Sequence, residues 1–189
     1  ERVVLAHRID RETSGVLLLA KKRSALTNLQ DQFRGRETGK TYAALVWGDW
    51  PENLKVIDVA LHKFLDADGE RRVRQVTSSH DPAAEQAKRS ITLVKVVQRL
   101  GWGSLLDVTI KTGRTHQIRV HLTEAGHAIV GDPKYGDFAK NRDIARGIKR
   151  FERMFLHARR LQFVHPVTQQ ALVCEAGLPA ECQQLLRSE

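Results

Sequence analysis

Residues 87–111 constrain the fold of this chain more than any other stretch. Segments 87–99 and 104–111 read as long strands meeting at the turn Gly101-Trp102-Gly103, a strong hairpin signal. Strands of that length point to antiparallel sheet, and other segments supply companions for it. Residues 40–46 (Lys-Thr-Tyr-Ala-Ala-Leu-Val) read as a strand stopped by Gly48 and Pro51, and 161–164 and 172–175 read as closing strands. Between 54 and 76 we expect two short strands joined through Asp66-Ala67-Asp68-Gly69, followed by a loop over 78–84. Residues 14–20, short and dense in aliphatic side chains, read as a buried strand.

Helical periods interrupt the strands. Leu26, Leu29 and Phe33 predict an amphipathic helix ending near Gly35. Ile118, Leu122 and Ala125 predict a second over 116–125, capped by Thr115 and ended by Gly126. Across 139–155, Ile144, Ile148, Phe151 and Phe155 form an apolar stripe. Arg142, Arg146, Lys149 and Arg153 form a cationic stripe beside it. That predicts a helix packed on the core with a basic ridge, either simply solvated or in contact with an anionic partner. A short helix follows Pro179. The fold class expected is α+β, a mainly antiparallel mixed sheet with flanking helices.

The chain has 189 residues, 41% hydrophobic and 28% charged, the composition of one globular domain. Its 31 Lys and Arg against 22 Asp and Glu leave a net charge of +9, which favours an anionic partner, most commonly a nucleic-acid backbone. An acidic membrane surface would also attract it, but no apolar run approaches the ~20 residues of a membrane span. The first residues lack a signal-peptide layout. With Cys174 and Cys182 the only cysteines, a reducing cytoplasm is the expected location.

Chemistry concentrates in two stretches. In His7-Arg8-Ile9-Asp10-Arg11-Glu12-Thr13-Ser14-Gly15, one carboxylate stands between two guanidinium groups and a Thr-Ser-Gly turn. Extended backbone would send Arg8 and Asp10 to one side and Ile9 to the other, with Thr13 or Ser14 donating to the carboxylate or ordering the turn. Asp10 is then either a nucleophile or a turn-capping residue. In Gly113-Arg114-Thr115-His116-Gln117-Ile118-Arg119-Val120-His121, a Gly-containing loop meets a helix start. Arg114 and Arg119 beside orphan amides make an anion site or, more plainly, a capped helix with solvated arginines. His116, His121 and His127 do not share a helical face, so no metal site is expected.

The His7–Gly15 stretch followed by an apolar segment resembles the HRxDxxTSG signature of the RluA-type pseudouridine synthases. Gly113–His121 is similar to the later motif of the same family. Lys40-Thr41-Tyr42 resembles its K-x-Y strand, Gly131-Asp132-Pro133-Lys134-Tyr135-Gly136 its GDxxYG turn, and the stretch from Leu156 to Pro166 its LHAxxLxFxHP pattern. The matches occur in order and cover nearly the whole chain. Lys21-Lys22-Arg23-Ser24-Ala25-Leu26 further resembles RluC-like members, which act on large-subunit ribosomal RNA.

The resemblance implies the pseudouridine synthase fold and a cofactor-independent isomerase. Asp10 would be the nucleophile, Tyr42 would stack on the target uracil and help the C5 proton leave, and Arg119 would pair with Asp10. Arg8 would enter the RNA stack where the uridine is extruded, with Arg114 and His116 also contacting RNA. Tyr42 alone also reads as a core tyrosine on a strand. Ile118 lines the uracil site in the family's pattern, although it and Leu122 at helical spacing also read as plain core. The partner expected is structured RNA, ribosomal or alternatively transfer RNA, bound by a monomer. A non-catalytic RNA-binding module is the reading from another class, and a histidine nuclease lacks a suitably spaced acid–base pair. Family members carry an NKPxG-like element before the first motif, and some carry an S4-like RNA-binding domain. Neither is found in these residues, so 1–189 is expected to be a catalytic domain with those parts outside it.

Overall fold

A computed structural model of the chain describes residues 2–187. In chain order the strands and helices are β1 (Val4–Leu5), β2 (Ser14–Gly15), β3 (Leu19–Ala20), α1 (Arg23–Arg34), β4 (Gly39–Trp47), β5 (Val56–Asp58), β6 (Ala60–Leu65) and β7 (Arg71–Val76). They continue with β8 (Ile91–Arg99), β9 (Gly103–Ile110), α2 (Gln117–Glu124), α3 (Phe138–Arg146), β10 (Leu156–Val164), β11 (Ala171–Glu175) and α4 (Ala180–Arg187). The central sheet runs β11-β10-β4-β9-β8-β5, antiparallel at each of these pairings, with β2 added parallel to β10. The expected α+β class is present, and so is the expected hairpin, although its first strand begins at Ile91 rather than at 87.

Alternation along β4 divides the core. Ala44 and Val46 point to one face, where Leu106, Val108, Ile118 and Leu122 close over them. Ala43 and Leu45 point to the other, against Ile144, Phe155 and Leu185. Helix α2 therefore packs on one face and α3 and α4 on the opposite one. Leu122 is fully buried, a contribution of about 1.5–3 kcal/mol to folding.

Four local expectations are corrected. Residues 14–20 are not one buried strand: Ser14–Gly15 pairs with β10 and Leu19–Ala20 with β1, leaving Leu17 and Leu19 exposed. The 54–76 region holds three strands, because Val56–Asp58 joins the main sheet while β6 leaves it to pair with β7. The helix predicted over 139–155 stops at Arg146. Gly147 is extended there, so Phe151 and Phe155 enter the core from irregular chain while Ile148 stays in solvent. The cationic stripe divides with it: Arg142 and Arg146 are exposed on α3, whereas Arg153 turns in to donate to Ser14 Oγ at 2.6 Å. Finally, Thr115 does not cap α2. The cap position is His116, in the left-handed region at φ 54° and with no side-chain cap bond.

Candidate active site

Gln117 explains why the 113–117 loop turns where it does. Its buried amide oxygen accepts from Arg114 N–H at 3.1 Å and from the Thr112 hydroxyl at 2.7 Å. Its amide nitrogen donates to Ile91 O at 2.9 Å. These bonds pin the start of α2 to β8 and compensate the strained backbone of His116. His116 is fixed further from outside the helix. The Tyr135 hydroxyl accepts from Val73 N–H at 3.0 Å, which leaves its own hydrogen for His116 Nδ1 at 2.7 Å. Burial lowers the His116 pKa and so favours the neutral ring, the form that can accept from Tyr135.

One turn into α2, Arg119 points inward and is 3% exposed. Its guanidinium makes a bidentate pair with Asp132, Nε to Oδ2 at 2.9 Å and a terminal nitrogen to Oδ1 at 2.8 Å. The remaining nitrogen reaches Asp10 Oδ2 at 3.3 Å. The face of the guanidinium lies 5.2 Å from the Tyr135 ring centroid. Burial works against the charge of Arg119, but the bonds and charge of Asp132, with Asp10 behind it, more than reverse that and raise its pKa. Burial likewise opposes ionisation of Asp132, yet Arg119 and the amides of Lys134 and Tyr135 hold its pKa below the ordinary carboxylate value.

The turn that presents Asp132 depends on Gly131. At φ 80°, a Cβ there would lie 1.9 Å from Arg153 O, so only glycine fits. Asp132 and Tyr135 were legible in the sequence as a turn motif and not as partners of Arg119 and His116. The available signal was a buried arginine, which requires a carboxylate.

Asp10 stands at the junction of two cavities. The inner one, about 90 Å³, is walled by Tyr42, Ile118 and Arg119. The outer one, about 590 Å³, carries Arg8, Arg11, Arg71, Arg114 and Lys134 against Asp10 and Glu12. The Asp10 side chain keeps 25% exposure, and among the described residues its Oδ1 accepts no hydrogen bond. The backbone around it is turn rather than strand: Asp10 O accepts Thr13 N–H at 2.9 Å, and Ile9 lines the same cavity as Arg8 and Asp10 instead of facing away. Neither hydroxyl nearby donates to the carboxylate. Ser14 Oγ is engaged by Arg153 and by His157 Nδ1 at 2.8 Å, and Thr13 Oγ1 is buried without a partner among the described residues.

Tyr42 comes up from β4, paired with Val108 and Ala158, and packs on the cluster that contains Ile118. Burial and then the charge of Asp10 push its phenol up to about 12, so it is neutral at pH 7. Ile118 is 5% exposed and serves both as core and as cavity wall, while Leu122 is core alone. Lys40 also lines the inner cavity, and burial lowers its pKa. A side chain at Gly113 would come within 2.9 Å of the Lys40 ammonium, so the glycine leaves room for it. Arg8 is exposed at the rim, and Arg114 is half-buried with Nε donating to Arg89 O at 3.2 Å. Arg119 is committed to two carboxylates and adds nothing to an anion site at the start of α2, whereas Arg114 lines the outer cavity there. The other histidines of the α2 region lie apart: His121 Nε2 bonds Val59 O and His127 Nδ1 bonds Trp47 O.

The chain is similar to known proteins in sequence and in fold. The sequence profile described as RNA pseudouridylate synthase matches residues 1–124. Ribosomal large subunit pseudouridine synthase C of Salmonella typhi is 41% identical over 188 residues, covering 98% of this chain and 56% of that protein. The Haemophilus influenzae protein of the same name is 43% identical, covering 97% of this chain and 54% of that protein. The chain thus spans about half the length of these relatives. Among solved structures, human RNA Pseudouridylate Synthase Domain Containing 4 superposes with a TM-score of 0.75 at 26% identity, covering 98% of this chain and 75% of that one. The chain belongs to the RNA pseudouridylate synthase family, the RluA-type enzymes that its motifs resemble.

Proposed function

We propose that residues 1–189 form a catalytic domain that isomerises uridine to pseudouridine in RNA, with large-subunit ribosomal RNA as the substrate and Asp10 as the nucleophile. One observation carries the reading. Asp10 sits where a small cavity walled by Tyr42 and Ile118 opens into a groove rimmed by five cations, and Arg119 holds one of its oxygens while the other has no partner among the described residues. A base extruded from the RNA stack enters the inner cavity and its flanking phosphates stay in the outer one. Arg8, at the junction, fills the gap left in the stack. Arg114 and His116 line the approach.

In the reaction the N1–C1′ bond breaks, the uracil turns, C5 joins C1′, the C5 proton departs and N1 gains one. Nothing external is consumed. Asp10 Oδ1 attacks carbon, either C1′ of the ribose or C6 of the uracil, both on the nucleotide that the cavity admits. Arg119 keeps the carboxylate oriented and compensated in a half-buried site. Tyr42 stacks as a neutral phenol. The C5 proton leaves by way of Tyr42, whose phenol hands on its own proton as it takes the one from C5, with N1 as the final acceptor, so the proton count of the site is unchanged.

The ribosomal substrate rests on the named relatives. The same reading has the enzyme working as a monomer in the cytoplasm. Mapping pseudouridine in ribosomal RNA from cells that lack the gene tests it: one or more sites disappear and return with the wild-type gene but not with Asp10→Asn. Loss of a transfer RNA site in place of a ribosomal one would overturn the substrate and keep the chemistry.

A further inference from the structure

On the face of the sheet opposite Asp10 lies a groove of about 520 Å³, lined by Trp47, Trp102, Lys140, Lys149, Ile148 and the single carboxylate Asp143, among others. Tyr42 and Trp47 are five residues apart on β4, an odd number, so they point to opposite faces about 17 Å apart along the strand. Their packing agrees: Tyr42 joins the cluster under α2, and Trp47 and Trp102 join the one under α3 and α4. The groove is therefore separate from the site already described.

We infer that this groove binds single-stranded RNA, a base stacking on the Trp47–Trp102 pair while Lys140 and Lys149 take the adjoining phosphates. The two indoles are half-buried with centroids 5.4 Å apart, tilted at 53°. Each carries an ammonium near its face, Lys140 Nζ at 5.6 Å from the Trp47 ring and Lys149 Nζ at 5.5 Å from the Trp102 ring. A lysine on a flexible stem swings from ring to phosphate as a base takes its place on the ring, and for Lys140 the phosphate also replaces an exposed pairing with Asp137 at 3.9 Å.

The surrounding charge selects a polyanion. Residues 137–150 hold Lys140, Arg142, Arg146, Lys149 and Arg150 against Asp137 and Asp143, Lys140 lying 3.9 Å from Asp137, and Arg142, Arg146 and Arg150 are exposed. Ile148 stands fully in solvent at the rim, 103% exposed, an apolar side chain with no packing role inside the domain. Aromatic faces interleaved with lysines suit stacked bases with phosphates between them better than they suit an acidic peptide, which brings charge without planar groups. The inference rests on the reading of the partner as RNA and extends it. A substrate engaged at Asp10 has its flanking strand held on the back of the sheet, so affinity and substrate choice are shared between two faces.

The test uses the whole chain and a ten-nucleotide oligouridine, followed by tryptophan fluorescence at several salt concentrations. The third tryptophan, Trp50, is 1% exposed and supplies a constant background. Oligouridine is expected to quench the emission. Trp102→Phe should remove most of the quenching, and the double variant Lys140→Glu/Lys149→Glu should weaken binding at least tenfold. That double variant should also flatten the dependence of log affinity on log salt by about 1.4, the contribution of two phosphates on a single strand. Circular dichroism verifies the fold of each variant. Asp10→Asn should quench as wild type does, and the charge-reversed variant should still isomerise a saturating stem-loop at the wild-type rate. Unchanged binding by the charge-reversed variant overturns the inference, as does stronger quenching by an oligoglutamate peptide than by RNA. Survival of isomerisation in Asp10→Asn instead overturns the catalytic reading and leaves the groove untouched.

Discussion

Asp132→Asn isolates what keeps a buried arginine in the site. The substitution preserves volume and, with its oxygen at the Oδ1 position, preserves acceptance from Lys134 N–H, Tyr135 N–H and one Arg119 nitrogen. It replaces Oδ2 with an amide donor that faces Arg119 Nε–H, so a 2.9 Å charge-assisted bond becomes a donor–donor contact. It also leaves Arg119, 3% exposed, with Asp10 at 3.3 Å as its remaining counter-charge. Losing one such bond costs about 1.5–3 kcal/mol, and breaking a buried pair by removing one partner costs about 3–5 kcal/mol. The expected loss is about 3–4 kcal/mol, read as a lower urea midpoint at unchanged denaturant slope. Replacing both partners (Asp132→Leu with Arg119→Met) should recover part of that stability, because no charge is then stranded. A loss below about 1 kcal/mol in Asp132→Asn, or a double variant worse than the single, would refute the reasoning.

Other consequences are as specific. His7 accepts Leu18 N–H at 2.9 Å, and burial, with Lys40 nearby, lowers its pKa from 6.5 to about 4. The unfolded chain binds the proton more readily, so this stability is complete above pH 6.5 and is lost as pH falls toward 4. At about 1.36 kcal/mol per pH unit the ceiling is about 3 kcal/mol, reduced by solvent screening of a partly exposed ring. Melting between pH 7 and 4 should therefore fall more steeply in wild type than in His7→Gln, and parallel curves would contradict it. Gly131→Ala forces a Cβ to within 1.9 Å of Arg153 O, so it should unfold the chain or cost more than about 3 kcal/mol by thermal denaturation. Tyr42→Phe keeps the ring and removes the phenol. The turnover rate should drop by roughly 10²-fold with RNA affinity unchanged, and an unaltered rate would reduce Tyr42 to stacking alone.

What could be read from the sequence was what short range determines. The 87–111 hairpin follows from Gly-Trp-Gly between two strand-forming runs, and α1 ends one residue before its expected glycine. The 14–20 segment misled because its halves pair with different partners, and nothing local encodes which. The 139–155 stripe misled because residues that plug a core from irregular chain can mimic a helical period; Gly147 was the break in it. In the candidate site, Asp10, Tyr42 and Arg119 were marked by their motifs. Asp132 was visible only as part of a turn, since its pairing with Arg119 spans 13 positions and depends on α2 turning that arginine inward.

The central claim is that Asp10 performs the chemistry. The most direct measurement is tritium release from RNA labelled at uridine C5, under single turnover with excess enzyme, for wild type and Asp10→Asn, with RNA affinity determined in parallel. Wild type is expected to release tritium and form pseudouridine, and Asp10→Asn to release none while binding within a few fold of wild type. Release by Asp10→Asn at a comparable rate would contradict the claim.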